Sequence, residues 1–245
     1  MKQGESLVVI LVLLLALSAQ AAMAQSTIFN VPTTDVVAKG KVYLEFDYLP
    51  QIPKAQDSGR LNIIDPRIVV GPGGNVEVGA NIPFNHIGNT TNAFLQPNLK
   101  WKFAENAHQG LAAAAGGILY IPINHREGVG NYSLIYGSFS KKRMSAHHGP
   151  RFTFGPYGVV AQASSFAGPK AGALLGYEQP VQDKVSIVAD WFSGKNSFGY
   201  FTPGISIALP GNGALNAGYS IGNNSWANDN AARNRLLFVY YGITF

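Results

Sequence analysis

Nine ionisable side chains, Lys41, Glu45, Asp47, Glu77, Lys100, Lys102, Arg151, Glu178 and Asp190, fall on the polar phase of segments whose other phase is apolar. Tyr43 shares that phase. An extended backbone sends successive side chains to opposite faces, so these residues would share one surface and line a lumen if the strands closed. Charges of both signs there could form a polar path for a small solute, or pair across the interior and block it. Lys100 and Lys102 stand two apart on one face, within roughly 7 Å, so their like charges require an anionic partner or the carboxylates Glu45, Asp47 and Glu77. Pairing within the wall is the expected outcome, with little charge selectivity left over.

Catalysis is not expected. A nucleophilic Ser needs a His within hydrogen-bond reach and a third group to orient it. His86, His108, His125, His147 and His148 all fall at strand ends or in connectors, and the one nearby Ser, Ser145, is itself in a connector. Adjacent His147 and His148 would point to opposite faces of an extended chain, which disfavours a shared metal ion. The chain has no Cys, so disulfides, thiolate metal sites and cysteine nucleophiles are excluded together. Residues 71–74 lack the Gly-Lys-Ser/Thr ending of a phosphate loop and read as a turn. No catalytic, cofactor or metal residue is assigned. The net charge of +5 does not indicate nucleic acid, because the basic residues are dispersed and Lys141-Lys142-Arg143 is the one run. That run suits acidic lipid headgroups or solvent.

The elements that would position these residues are strands. Residues 41–48 alternate, with Val42, Leu44, Phe46 and Tyr48 on one face and Lys41, Tyr43, Glu45 and Asp47 on the other. Residues 76–84, 98–103, 185–191 and 215–221 repeat the design, and weaker candidates cover 68–70, 111–121, 132–139, 152–160, 171–177 and 200–209. The final candidate is 235–245. The Ala-rich stretch 111–117 has helical propensity, but Gly116-Gly117 and Pro122 bound it tightly, and a strand is expected. About twelve antiparallel strands result. Only 13% of residues are charged, 28 are Gly and 11% are aromatic, a composition suited to pleated, turn-rich structure.

At the N-terminus, Lys2 precedes an apolar run at 7–17, followed by Ala22-Met23-Ala24. The run is short for a membrane-spanning helix and ends at small residues, as in a signal peptide cleaved after Ala24. The expected organisation is a signal peptide at 1–24, a periplasmic N-terminal segment at 25–40 and an all-β, antiparallel transmembrane β-barrel at 41–245. A barrel is favoured over a soluble sandwich by strands often nine or more residues long, near the roughly 9–11 needed to cross a bilayer at a tilt. Aromatic residues near strand ends on the outward phase, namely Tyr48, Phe84, Phe103, Trp191 and Tyr241, match interfacial girdles. Connectors at 71–75, 178–184 and 209–213 read as short turns on one side, and those at 58–62, 88–92, 125–131 and 222–230 as loops on the other. Residues 141–148 are a longer basic exception on the short-turn side.

The last strand presents Leu237, Val239, Tyr241, Ile243 and Phe245 on one face and ends there. It resembles the C-terminal signal of Gram-negative outer-membrane barrels, which implies that the barrel-assembly machinery reads Tyr241, Ile243 and Phe245. Tyr177-Glu178-Gln179-Pro180 and the run Ala189-Asp190-Trp191-Phe192-Ser193-Gly194-Lys195-Asn196 resemble uncharacterised bacterial outer-membrane proteins grouped with transporters of the phenol-degradation MetA-pathway type. That likeness implies a pore or transporter and supplies no site residues. The expected function is a narrow outer-membrane channel or transporter for a small solute, with outer-membrane lipid as its surroundings. The alternative is a structural or interaction barrel with a closed lumen and ligand-binding extracellular loops; an outer-membrane lipid hydrolase is the third. One feature resists an open bore: Leu236, Phe238 and Tyr240 face inward by parity.

Overall fold

A computed structural model describes residues 26–52, 60–125, 130–146, 148–161, 166–223 and 234–245. The expected signal peptide and His147 lie outside the described residues. The strands are β1 (Val42–Pro50), β2 (Leu61–Gly73), β3 (Val76–Asn81), β4 (Phe84–Ile87), β5 (Thr90–Asn106), β6 (Leu111–Pro122), β7 (Tyr132–Lys142), β8 (Arg151–Ala161), β9 (Ala171–Gln182), β10 (Val185–Phe192), β11 (Tyr200–Leu209), β12 (Gly213–Gly222) and β13 (Arg235–Thr244).

Strands neighbouring in sequence pair antiparallel except β3 and β4, which each pair with β2 and β5, and β1 pairs with both β2 and β13, closing the sheet on itself. Strands β3 and β4 lie end to end between β2 and β5, so the thirteen described strands make a barrel of twelve staves. The break falls at Ile82-Pro83, where proline has no N–H to give the ladder. Closure leaves no exposed edge. The Ala-rich segment is strand β6, as expected.

The even count brings both barrel termini to one end, together with the tight turns 74–75, 183–184 and 210–212. The connector 143–150 is at that end too, so its length does not reflect a miscounted strand. Some sequence boundaries were too short. Strand β9 continues through Glu178 to Gln182, a stretch that reads as a turn because of Pro180. The sheet accommodates Pro180 beside an irregularity at Val185/Ser186. Strand β2 likewise runs through Asp65-Pro66 and into a bulge between Val70 and Gly73.

The burial pattern is inverted relative to a soluble sheet. Leu44, Phe46, Ile68, Leu99, Trp101, Ile135, Phe152 and Ile187 are exposed on the outside. Glu45, Asp47, Glu77, Lys100, Asp190 and Asn216 are buried inside. An outer surface so continuously apolar is stable against hydrocarbon and would associate in water. Tyr48, Phe84, Phe103, Tyr241 and Phe245 are exposed, and Trp191, placed with them by the sequence, is half-buried.

Candidate functional site

The interior is occupied by the chain's own N-terminal segment. The sequence suggested that 25–40 lies apart from the barrel, but residues 26–37 are packed within it, with Ile28, Phe29, Val31, Thr33, Thr34 and Val37 all buried. Residues 26–33 fold back as a small hairpin. The Thr33 N–H donates to the Ser26 carbonyl and the Ile28 N–H to the Val31 carbonyl, each at 3.0 Å, and Thr27 bridges to Pro32. The tight reversal aims the consecutive N–H groups of Phe29, Asn30 and Val31 the same way. Such a concavity of N–H groups suits an anion.

Asp190 supplies it. One carboxylate oxygen, Oδ2, accepts from Phe29, Asn30 and Val31 at 3.1, 2.6 and 2.8 Å. Buried N–H groups left without partners would each be costly, so Asp190 fixes the hairpin tip in the lumen. The tip also fits a hollow. The Phe29 ring stands 5.3 Å from Phe238 and 6.0 Å from Tyr240, whose hydroxyl donates to the Ile28 carbonyl. Three inward glycines make room. A Cβ at Gly218 or Gly204 would come within 2.5 Å of the Phe29 ring, and one at Gly176 within 2.5 Å of Ile28 Cδ1. Thus Phe29 covers the inward apolar side chains of β13 that an open bore could not explain.

The foot of the segment rests on charge. Glu77 and Lys100 form an ion pair at 3.1 Å, with both side chains almost wholly buried. Lys100 Nζ also donates to the Ser26 carbonyl at 2.9 Å, the Ser26 hydroxyl donates to Glu77, and Glu77 Oε2 accepts the Val37 N–H at 3.0 Å. Arg67 joins Glu45 at 3.2 Å to Ser26 Oγ at 3.2 Å and Thr27 Oγ1 at 3.3 Å. Further along, the Ser138 hydroxyl donates to the Pro32 carbonyl at 2.8 Å, and the Thr34 and Ser140 hydroxyls are 2.6 Å apart. Arg151 bridges Asp35 to Glu178. Burial alone would raise the Asp35 carboxyl, but Arg151 beside it, with Lys100 and Lys102 farther off, holds it below the ordinary carboxylate range.

The residues assigned to the lumen divide four ways. Glu45, Glu77, Lys100, Arg151, Glu178 and Asp190 hold the N-terminal segment or its direct supports. Tyr43 donates to Glu45, and Asp47 is buried nearby. Lys102 pairs instead with Glu105 at 2.7 Å across the bulge that ends β5's regular register, so the two lysines do not act together. Lys41 is a correction. It is exposed at the rim, because pairing begins at Val42 after a turn with Gly40 at φ +75°. Parity reasoning missed Arg67 and Asp65, since Pro66 between them hid the strand. It missed residues 26–37 because an irregular hairpin has no period.

Toward the long-loop end, the inner face between β6 and β11 is aromatic. Tyr120 stacks on Tyr132 at 4.5 Å, and Phe166 stacks on Phe198 at 5.4 Å. Tyr157 meets Phe192 edge-on at 5.1 Å. Val31 packs into the same cluster, joining the plug to it. A groove lined by Phe152, Leu175, Trp191 and Phe201 is on the barrel's outside and is no part of the lumen. Of the catalytic candidates, Ser145 accepts from Arg143 at 3.1 Å and His148 lies 3.2 Å from Asp183, both at the exposed short-turn end.

No protein-family model matches the chain, and no curated protein matches it in sequence. Among solved structures it is similar to an outer membrane channel from Pseudomonas putida F1, with a TM-score of 0.54 and 13% identity over 86% of this chain and 97% of that one. It is also similar to CdiB from Acinetobacter baumannii, with a TM-score of 0.36 and 10% identity over 84% of this chain and 60% of that one. At these identities the first likeness shows the fold, that of an outer-membrane barrel, and the second adds no argument.

Proposed function

We propose that this chain is an outer-membrane conduit of a Gram-negative-type bacterium, closed at rest by its own N-terminal segment and passing a small solute when that segment shifts. The observation that carries the reading is the manner of closure. Residues 26–37 fill the lumen as a separate piece of chain, held by hydrogen bonds, ion pairs and one apolar hollow, and they are not part of the wall. A barrel meant to be solid could fill its interior with wall side chains, as eight-stranded barrels do; a wider one needs an insert, and an insert can move. The aromatic cluster next to the plug favours a solute with an apolar or aromatic body over a strongly hydrated ion.

Planar-bilayer recordings test this. The intact mature chain should give rare or small conductance steps, and a chain lacking residues 26–37 should give frequent, resolved ones. Absence of steps from both, with the shortened barrel verified as folded by heat-modifiable gel migration, would favour the alternative of a closed structural or interaction barrel acting through its loops.

A further inference from the structure

The hollow that holds Phe29 is cut into the barrel wall. Across β10, β11, β12 and β13, one row of directly paired residues runs Val188, Gly204, Gly218, Phe238. Val188 and Phe238 are buried, and the two glycines between them leave a gap in the inner surface. Neither glycine has a positive φ, so what each supplies is room. A Cβ at Gly218 would lie 2.5, 2.9 and 2.9 Å from Phe29 Cζ, Cε1 and Cε2, so the ring rests face-on against bare backbone.

Asp190 stands two residues along β10 from Val188 on the same face, roughly 7 Å away. It is 2% exposed, yet no ion pair among the described residues includes it. Its Oδ2 accepts three neutral N–H groups of the plug, and its Oδ1 is buried with no hydrogen bond. A buried carboxylate without a counter-charge is costly. The wall thus offers a ring-sized apolar hollow beside a negative charge that nothing neutralises.

Phe29 spans the two. Its ring fills the hollow while its own backbone N–H donates to Asp190 Oδ2 at 3.1 Å. Ring, Cβ, Cα and N make the skeleton of a 2-phenylethylamine, here with an amide nitrogen that carries no charge. A free amine of that skeleton would lay the same ring on the same glycines. It would also bring Asp190 the cation it lacks, with three N–H donors on one nitrogen.

We propose that this hollow and Asp190 form a binding site for a solute of the 2-phenylethylammonium type, that Phe29 occupies it at rest as a built-in substitute, and that the solute frees the plug tip by competing for it. The release of the tip as an opening step rests on the conduit reading; the binding does not.

Equilibrium dialysis of radiolabelled 2-phenylethylammonium against the full chain in detergent tests this, with empty micelles subtracted. F29A removes the competitor, and the amine should bind it at least about tenfold tighter than wild type. In that background G218V, which fills the hollow, should abolish binding, and D190N should weaken it at least about tenfold. Ethylammonium lacks the ring, 2-phenylethanol lacks the charge, and 4-phenylbutylammonium has a tether too long for the spacing; each should bind at least about tenfold more weakly. Should F29A not fold, as read by heat-modifiable gel migration, G218V and D190N are read in wild type with the same expectations. No gain in a folded F29A, binding that survives G218V or D190N, or tighter binding of the more apolar 4-phenylbutylammonium overturns the proposal. Conductance is scored separately. The expected binding pattern with no steps from any chain keeps the site and removes the conduit; steps from F29A without amine binding keep the conduit and remove the site.

Discussion

The two ends of the plug are held by different physics. At the tip, Phe29 fills a hollow shaped by Gly176, Gly204 and Gly218, and one oxygen of Asp190 collects three N–H groups. At the foot, the same backbone is tied through Glu77, Lys100, Arg67 and Arg151, each with several partners, and through Asp35, held by Arg151. A shape fit with two polar anchors, the Asp190 oxygen and the Tyr240 hydroxyl, is weakened most by a single change. A network loses one strand of support and keeps the others, but it becomes costly if a charge is left unpaired in the dry interior. The tip is therefore the end positioned to let go first, and the foot is the end that keeps the segment in the barrel.

The largest expected effect comes from isolating a charge at the foot. E77Q leaves Lys100 buried without its counter-ion and should destabilise the barrel by about 3–5 kcal/mol, read as a lowered urea midpoint. The double variant E77Q/K100M should recover most of that loss. If the single and double variants unfold alike, the foot is not an ionic network.

Next is the tip's shape. At Gly218 the nearest atoms a Cβ would meet are all in the Phe29 ring, the closest at 2.5 Å, so G218V should evict the ring and forfeit about 3 kcal/mol of its burial. Conductance should rise while the barrel's own unfolding barely changes. A smaller loss follows from D190N, which replaces charge-assisted acceptance of three N–H groups by neutral acceptance. We expect about 2 kcal/mol, some thirty-fold in the open population, seen as more frequent openings without a change in step size.

Smallest is the partly exposed Asp35–Arg151 tie. Because the folded Asp35 carboxyl is held below its unfolded value, the stability it contributes is present above that unfolded value, near 3.9, and is lost as pH falls through the lower folded one. Closure should be insensitive to Asp35 between pH 5 and pH 7, and D35N should change opening less than threefold in that window. A large D35N effect at neutral pH would mean that the foot depends on this one link.

Much of the barrel was legible because alternation is a local property of a strand. Glu45, Glu77, Lys100 and Asp190 were placed on the inner wall by parity, and their burial agrees. Pro66 and Pro180 broke that reading, since a proline at an unpaired ladder position looks in sequence like a turn. The plug was illegible for a different reason. Residues 26–37 owe their conformation to partners 40 to 213 residues away, from Glu77 to Tyr240, and no local pattern encodes such contacts. Its trace was indirect: Phe238 and Tyr240 on an inward face with nothing to cover them, and glycines at Gly204 and Gly218 with no turn to make.

The most direct test of whether residues 26–37 occupy the lumen is a cross-link between the segment and the wall. The Thr34 and Ser140 side-chain oxygens are 2.6 Å apart, and the chain has no cysteine of its own. In T34C/S140C inserted into membranes, the two thiols should form one intramolecular disulfide under mild oxidation, silencing conductance until a reductant is added. Free thiols that both react with a membrane-impermeant maleimide, with no disulfide formed, would show that the segment lies elsewhere.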